Sequence, residues 1–214
     1  MKGQNSSTSL SELLKEYEKI KPQIEERVKE FQALRSASEE RILLELIFCL
    51  LTPQSKATVC WEAAENIYNK GLTSVTEDEI RECLKGVRFK NNKAKYIKLA
   101  LKKFLHQPLK KHLEELSAEE AREWLVKSVK GMGYKEASHF LRNTGFGLEL
   151  AILDRHILKN LEAFGAIEAI PKTLTRKRYL EIEKRMREFA GRLGIDPAHL
   201  DLLLWYKETG FIFK

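Results

Sequence analysis

Two glycines flank one apolar residue in Val129-Lys130-Gly131-Met132-Gly133-Tyr134-Lys135, and Asp154 follows downstream in Leu153-Asp154-Arg155-His156-Ile157. Without a Cβ, Gly131 and Gly133 leave a turn with bare backbone, and φ > 0 is open to both. Such a turn can set its amides against a phosphate, helped by the positive end of the helix that follows. Lys135 falls in the first turn of that helix. A neutral lysine amine attacks electrophilic carbon. At C1′ of a nucleoside it would displace the base, form an imine with the opened sugar and permit strand scission by β-elimination. Asp154 stands where an apolar stretch gives way to another helix, so helix-start amides can hold its carboxylate. A carboxylate near C1′ stabilises the positive charge developing on the sugar and can accept a proton from the amine. Each feature alone has an ordinary reading: a packing turn, a solvated lysine among 38 basic residues, a plain helix cap. The pairing points to chemistry on a nucleic acid. His156, with no second His or Cys at ligand spacing, reads as a hydrogen-bonding neighbour rather than a metal ligand.

The elements that must position these groups are helices. Almost every segment has the 3.6-residue apolar period, and no alternating, β-branched run suggests a strand. The spacing predicts an all-α fold. Ser9-Leu10-Ser11-Glu12 and Ser36-Ala37-Ser38-Glu39 fit the capping box and open two helices, the first broken near Pro22. The second, through Ile42, Leu43, Leu46, Ile47 and Leu50, is apolar around much of its circumference and belongs in the core. It stops at Leu51-Thr52-Pro53-Gln54-Ser55. Further helices are expected over residues 56–69, from Thr76 to Gly86, and beyond a basic loop, Val87-Arg88-Phe89-Lys90-Asn91-Asn92-Lys93-Ala94-Lys95-Tyr96. Ser117-Ala118-Glu119-Glu120 starts the helix before the hairpin, and the later helices cover about 152–164, 174–192 and 196–206.

Lys+Arg 38 against Asp+Glu 31 leaves a net charge of +7, compatible with nucleic acid or an anionic surface. The polar start, Met1 to Ser7, has no apolar core of a signal segment, and no run reaches membrane-spanning length. A cytoplasmic, prokaryotic, nucleoid-associated protein is the expectation, with no membrane partner. Cys49, Cys60 and Cys83 are odd in number and widely spaced, which suits free thiols rather than a disulfide framework or a CxxC site.

The pattern Gly131-x-Gly133-x-Lys135 with Asp154 inside Leu-Asp-Arg-His-Ile resembles the helix-hairpin-helix superfamily of DNA base-excision glycosylases. Over essentially the whole chain, including Val87-Arg88-Phe89…Asn92-Lys93 and Leu204-Trp205-Tyr206-Lys207-Glu208-Thr209-Gly210…Lys214, it is similar to the archaeal-type 8-oxoguanine DNA glycosylase/lyases. The resemblance implies two helical lobes, residues 38–150 ending in the hairpin and residues 1–37 with 151–214, with the active site in the cleft between them. It implies Lys135 as Schiff-base nucleophile and Asp154 as the essential carboxylate. Duplex DNA containing 8-oxoguanine would be the partner of a monomer, contacted by Gly131, Gly133, Gln54, Arg88, Lys90 and Lys93.

Gln54 looks like the glutamine that relatives push into the gap left by a flipped base, and Phe89, Trp205 and Lys214 would recognise the base. No cofactor would be required and no metal site is expected, although hairpin carbonyls could hold a monovalent cation bridging to phosphate. Two departures narrow the likeness: iron–sulfur cysteines are missing, and no strand pattern supplies the extra β-domain of eukaryotic-type enzymes. An endonuclease III-like enzyme acting on oxidised pyrimidines, and a non-catalytic helix-hairpin-helix DNA-binding protein, remain the alternatives. The abundance of Lys and Glu at helical spacing also suits the ion-pair networks of thermophile proteins. A thermal unfolding scan should then place the midpoint above the ordinary mesophile range of about 45–65 °C, and a midpoint inside it would contradict that reading.

Overall fold

The computed structural model describes residues 9–214, whose regular structure is all α-helix with no strand. The polar start, Met1 to Ser7, lies outside the described residues. The helices are α1 (Leu10–Leu34), α2 (Glu39–Leu51), α3 (Ala57–Asn69), α4 (Glu77–Cys83), α5 (Lys90–Phe104), α6 (Leu109–Glu114), α7 (Ala118–Ser128), α8 (Tyr134–Asn143), α9 (Arg155–Ala163), α10 (Arg176–Leu193) and α11 (Pro197–Thr209). They divide into two compact units, one made of the chain up to Glu30 with Ala151–Phe213, the other of Phe31–Leu150 with Lys214. None of the described helices is long and apolar enough to cross a membrane.

In the second unit α2 is the central element. Every residue from Ile42 to Leu51 is buried, and α3, α5, α6 and α8 all pack on it. The helix starts are set by local chemistry. Thr76 and Ser117 each accept from the amide three residues on, while Glu79 and Glu120 reach back to complete the capping box. The expected box at residues 36–39 forms differently. Ser38 is the cap, accepting from the Arg41 amide, and Glu39 turns its carboxylate to the amides of Leu109 and Lys110 at 2.6 and 3.1 Å. It thereby caps α6, a six-residue helix with no strong sequence signal, through a contact that only the tertiary fold supplies.

In the first unit α10 pins the segment that leads to Asp154. Tyr179 donates its hydroxyl to the Ala151 carbonyl at 2.6 Å, and Glu183 accepts from the Ala151 amide at 2.9 Å. α11 packs on both α9 and α10. The break expected at Pro22 does not occur: α1 runs unbroken with Pro22 inside it. Pro22 is exposed while Ile20 and Ile24 are buried, so the carbonyl that the proline leaves without an amide faces water, and packing on either side holds the helix. An interior proline still costs a helix up to about 3 kcal/mol relative to alanine. Pro22→Ala should therefore raise unfolding stability by about 1–3 kcal/mol in urea titration, and an unchanged or lower midpoint would show that the proline is accommodated without strain.

Candidate active site

The hairpin between α7 and α8 is built on one glycine more than on two. Gly131 has φ +88, and a Cβ there would lie 2.2 Å from Cδ2 of Tyr96, so the turn rests directly on the face of an α5 ring. Gly133 is extended, with φ −100 and ψ −177, a conformation open to any residue. Its constraint is steric: a Cβ would meet the Glu136 carboxylate at 2.9 Å, and Glu136 accepts from the Gly133 amide at 3.2 Å. The expectation of free amides at both glycines thus needs correcting at Gly133, whose amide already holds an anionic group. Tyr134 donates to Glu123 at 2.5 Å and Arg122 to Ser138 at 3.2 Å, locking α8 to α7.

Lys135 is the second residue of α8, and its side chain is 24% exposed. Nζ stands 3.1 Å from the Glu136 carboxylate and 3.4 Å from Thr52 Oγ1. Thr52 closes the C-terminal end of α2, so the hairpin delivers the amine to the turn that carries Gln54. That turn, Thr52-Pro53-Gln54-Ser55, is closed by Ser55 N donating to Thr52 O at 3.1 Å. Gln54 has φ +54, and Phe89, the residue before α5, has φ +58; among the described residues these are the non-glycine residues with positive φ. Left-handed backbone costs a side-chain-bearing residue about 1–2 kcal/mol, so both are held there by their surroundings. Gln54 is exposed, and Phe89 is 55% exposed with the Arg88 guanidinium 5.5 Å from its ring centre.

The basic segment is not a loop. α5 begins at Lys90, so Lys90, Lys93 and Lys95 ride on its first turns, and Phe89 makes the bend before it. Arg88, Lys90 and Lys95 are exposed. Lys93 is not. It is 4% exposed, and Nζ donates to Leu51 O at 2.8 Å, Pro53 O at 2.7 Å and Ser55 Oγ at 3.2 Å. Its expected place on the DNA face is therefore corrected: the ammonium lies inside the protein, beneath the Gln54 turn.

Lys214 also sits in the second unit and is largely buried. Its ammonium pairs with Glu45 and lies 3.7 Å from the Trp61 ring centre. Glu45 is fully buried in α2, takes Asn143 Nδ2 at 3.2 Å and lies 3.7 Å from Arg41. Burial pulls the Lys214 ammonium below the ordinary lysine range, with Glu45 opposing that pull. His139 lies beside this group, against Phe48. Burial first, then the charges of Arg142 and Lys135, hold its imidazole well below the usual range and therefore neutral near pH 7.

Asp154, His156 and Trp205 belong to the first unit. Asp154 caps α9, with Oδ1 accepting from the amides of His156 and Ile157 at 2.8 Å each. Oδ2 takes no hydrogen bond among the described residues. His156 Nδ1 is 3.7 Å from Glu208, and the His156 ring meets Trp205 edge-on at 5.6 Å. Burial opposes ionisation of Glu208, but hydrogen bonds from Asn160 and Lys159, with the Lys159 and Lys207 charges, bring its carboxyl below the ordinary range. Among the described residues no group of three His, Cys, Asp or Glu could hold a metal ion.

The second unit thus presents a partly exposed lysine on the helix after a glycine hairpin, and the first unit a helix-capping aspartate that uses one of its two carboxylate oxygens. Comparison with known proteins decides the family. The family model for 8-oxoguanine DNA glycosylase matches residues 24–195. The chain belongs to the 8-oxoguanine DNA glycosylase family. It is 47% identical over 210 residues to the 8-oxoguanine DNA glycosylase/AP lyase of Fusobacterium nucleatum, covering 95% of this chain and 97% of the relative. The Methanocaldococcus jannaschii 8-oxoguanine glycosylase/lyase, solved with a 15mer DNA containing 8-oxoguanine, superposes with a TM-score of 0.87 at 38% identity, over 96% of this chain and 99% of that one. The Thermotoga maritima 8-oxoguanine DNA glycosylase gives 0.86 at 38% identity, over 96% and 98%.

Within this 8-oxoguanine DNA glycosylase fold, sequence reasoning missed Glu45, Ser55, Trp61 and Glu136. Glu45 was findable, because a single carboxylate inside an otherwise apolar helix run must have a buried partner. The geometry at Gly131 sets the sharpest test of the hairpin. Gly131→Ala combines a left-handed φ with a collision against Tyr96, and should weaken binding to duplex DNA by about tenfold or more, as about 1–3 kcal/mol of backbone strain implies. Fluorescence anisotropy with a labelled duplex checks this, and wild-type affinity would contradict the role given to the turn.

Proposed function

We propose that Lys135 is the nucleophile and Asp154 the charge-stabilising carboxylate of a bifunctional enzyme that excises 8-oxoguanine from duplex DNA and nicks the abasic product. The activity is that of the family, and the observation that carries the residue assignment is the setting of Lys135. A partly buried amine follows directly on a glycine hairpin and stands beside the Gln54 turn. In this reading the hairpin backbone docks a phosphate, displacing the Glu136 carboxylate from the amide of Gly133. Nζ attacks C1′, the C1′–N9 bond breaks and the base departs. Asp154 stabilises the positive sugar and can accept a proton from the amine. Opening of the sugar ring gives an imine, loss of a C2′ proton expels the 3′ phosphate, and water releases the lysine.

Gln54 enters the gap beside the widowed base, and Phe89 wedges or stacks, which together offset about a few kcal/mol of unstacking. Arg88 and Lys90 hold phosphates, so affinity falls steeply as salt rises. Trp205 and Lys214 are read as parts of base recognition, Lys214 with its ammonium fixed by Glu45. The enzyme is read as a monomer acting on the nucleoid without a cofactor, with a monovalent cation at the hairpin carbonyls bridging to phosphate.

Single-turnover kinetics separate these roles. Lys135→Gln should abolish both base release and nicking. Asp154→Asn keeps an oxygen to cap α9 but loses the charge, and should slow base release by about 10²–10⁴-fold. On a lesion panel, faster release of an oxidised pyrimidine than of 8-oxoguanine would overturn the substrate assignment, and full activity of Lys135→Gln would overturn the chemistry.

A further inference from the structure

Lys93 is a buried cation that the reaction does not use. Its ammonium pairs with no carboxylate among the described residues; its donors go to the carbonyls of Leu51 and Pro53 and to Ser55 Oγ, at 2.8, 2.7 and 3.2 Å. Leu51 is the last residue of α2, so its carbonyl lies at the negative end of that helix, where a cation is favoured. Burial pulls the lysine below its ordinary range, and the nearby charges of Lys135 and Arg88 act in the same direction, against Cys60 and Glu136. A lysine in so costly a place holds what weaker donors cannot, since its removal would leave the Leu51 carbonyl with only the Cys60 thiol at 3.1 Å and the Pro53 carbonyl with only the Ser55 hydroxyl at 3.5 Å.

What it holds is a pair of loops. Pro53 and Ser55 bracket Gln54, so two of the three bonds from Lys93 fix the residues on either side of a left-handed glutamine. Ser55 Oγ accepts in turn from the Arg88 amide at 3.0 Å, and Arg88 precedes the left-handed Phe89. A single ammonium and a single hydroxyl thus join the two strained, exposed residues of this unit.

We propose that Lys93 is a positioning residue for base extrusion, fixing Gln54 directly and Phe89 through Ser55 as one preorganised wedge. The inference rests on the reading of Gln54 and Phe89 as the residues that enter the duplex. It places Lys93 one step behind the DNA face, acting through the geometry of both loops rather than by touching phosphate.

The test is a double-mutant cycle with a readout that general destabilisation would not move. For Lys93→Met, Gln54→Ala and the double variant, single-turnover base release from a paired 8-oxoguanine duplex is divided by nicking of a preformed abasic duplex, which has no base to unstack. Lys93→Met should lower this ratio by about tenfold, Lys93→Arg should recover most of it, and the double variant should lose little more than Gln54→Ala alone, because contacting residues in one network are not additive. If Gln54→Ala leaves the ratio at the wild-type value, the wedge reading itself is wrong. If Gln54→Ala lowers the ratio but Lys93→Met does not, or if the two losses multiply, the wedge stands and Lys93 does not position it. Should Lys93→Met fail to fold, Ser55→Ala removes the shared acceptor. A lowered ratio that is non-additive with Gln54→Ala supports the proposal, and an unchanged or additive one overturns it.

Discussion

The contact on which the site depends is the seat of Gly131 on the ring of Tyr96. A side chain at that position would strike the ring, so the turn can come this close only as glycine. The start of α8 follows from that approach, and Lys135 is its second residue. The same ring belongs to α5, whose first turns carry Lys93, so the hairpin and the turns at Gln54 and Phe89 are referred to one helix. The Gly133 amide is satisfied by Glu136, and Lys135 leans toward the same carboxylate. This arrangement stores the amine beside an internal anion. A phosphate arriving at the hairpin would compete for the same ground.

Cations in the second unit divide into two kinds. Arg88, Lys90 and Lys95 stand in solvent, where they are open to an anionic partner and screened by salt. Lys93 is buried and Lys214 largely so, and both spend donors on the protein, one on carbonyls of a turn and the other on Glu45. The total of 38 Lys and Arg therefore overstates the number of cations in solvent. The Glu45 cluster shows the usual bargain of a buried ion pair: desolvation is offset by Asn143, Arg41 and Lys214 around one carboxylate, and removing Lys214 would leave that carboxylate to the more distant Arg41 and a neutral amide.

Much of the fold was legible because its signals are local. The apolar periodicity gave α2 its central position, and the capping residues Thr76, Ser117 and Asp196 mark helix starts where the sequence rules place them. What could not be read came from contacts between distant positions. Glu39 looked like a member of a capping box but caps α6, some 70 residues on. Pro22 looked like a break, yet burial of Ile20 and Ile24 carries the helix through. Lys93 looked like one more basic residue in a basic segment, and only the turn folded over it reveals a structural cation. The hairpin pattern was correct in outline, but spacing could not say that Gly131 needs positive φ while Gly133 needs room for a carboxylate.

The account stands or falls on Lys135 forming the covalent bond to DNA. Borohydride reduction of the reaction with an 8-oxoguanine duplex, followed by proteolysis and mass mapping of the DNA-linked peptide, tests this most directly. The predicted result is a single adduct on Lys135 of the peptide beginning α8. An adduct on Lys130 or another lysine, or no adduct while base release proceeds, would contradict it.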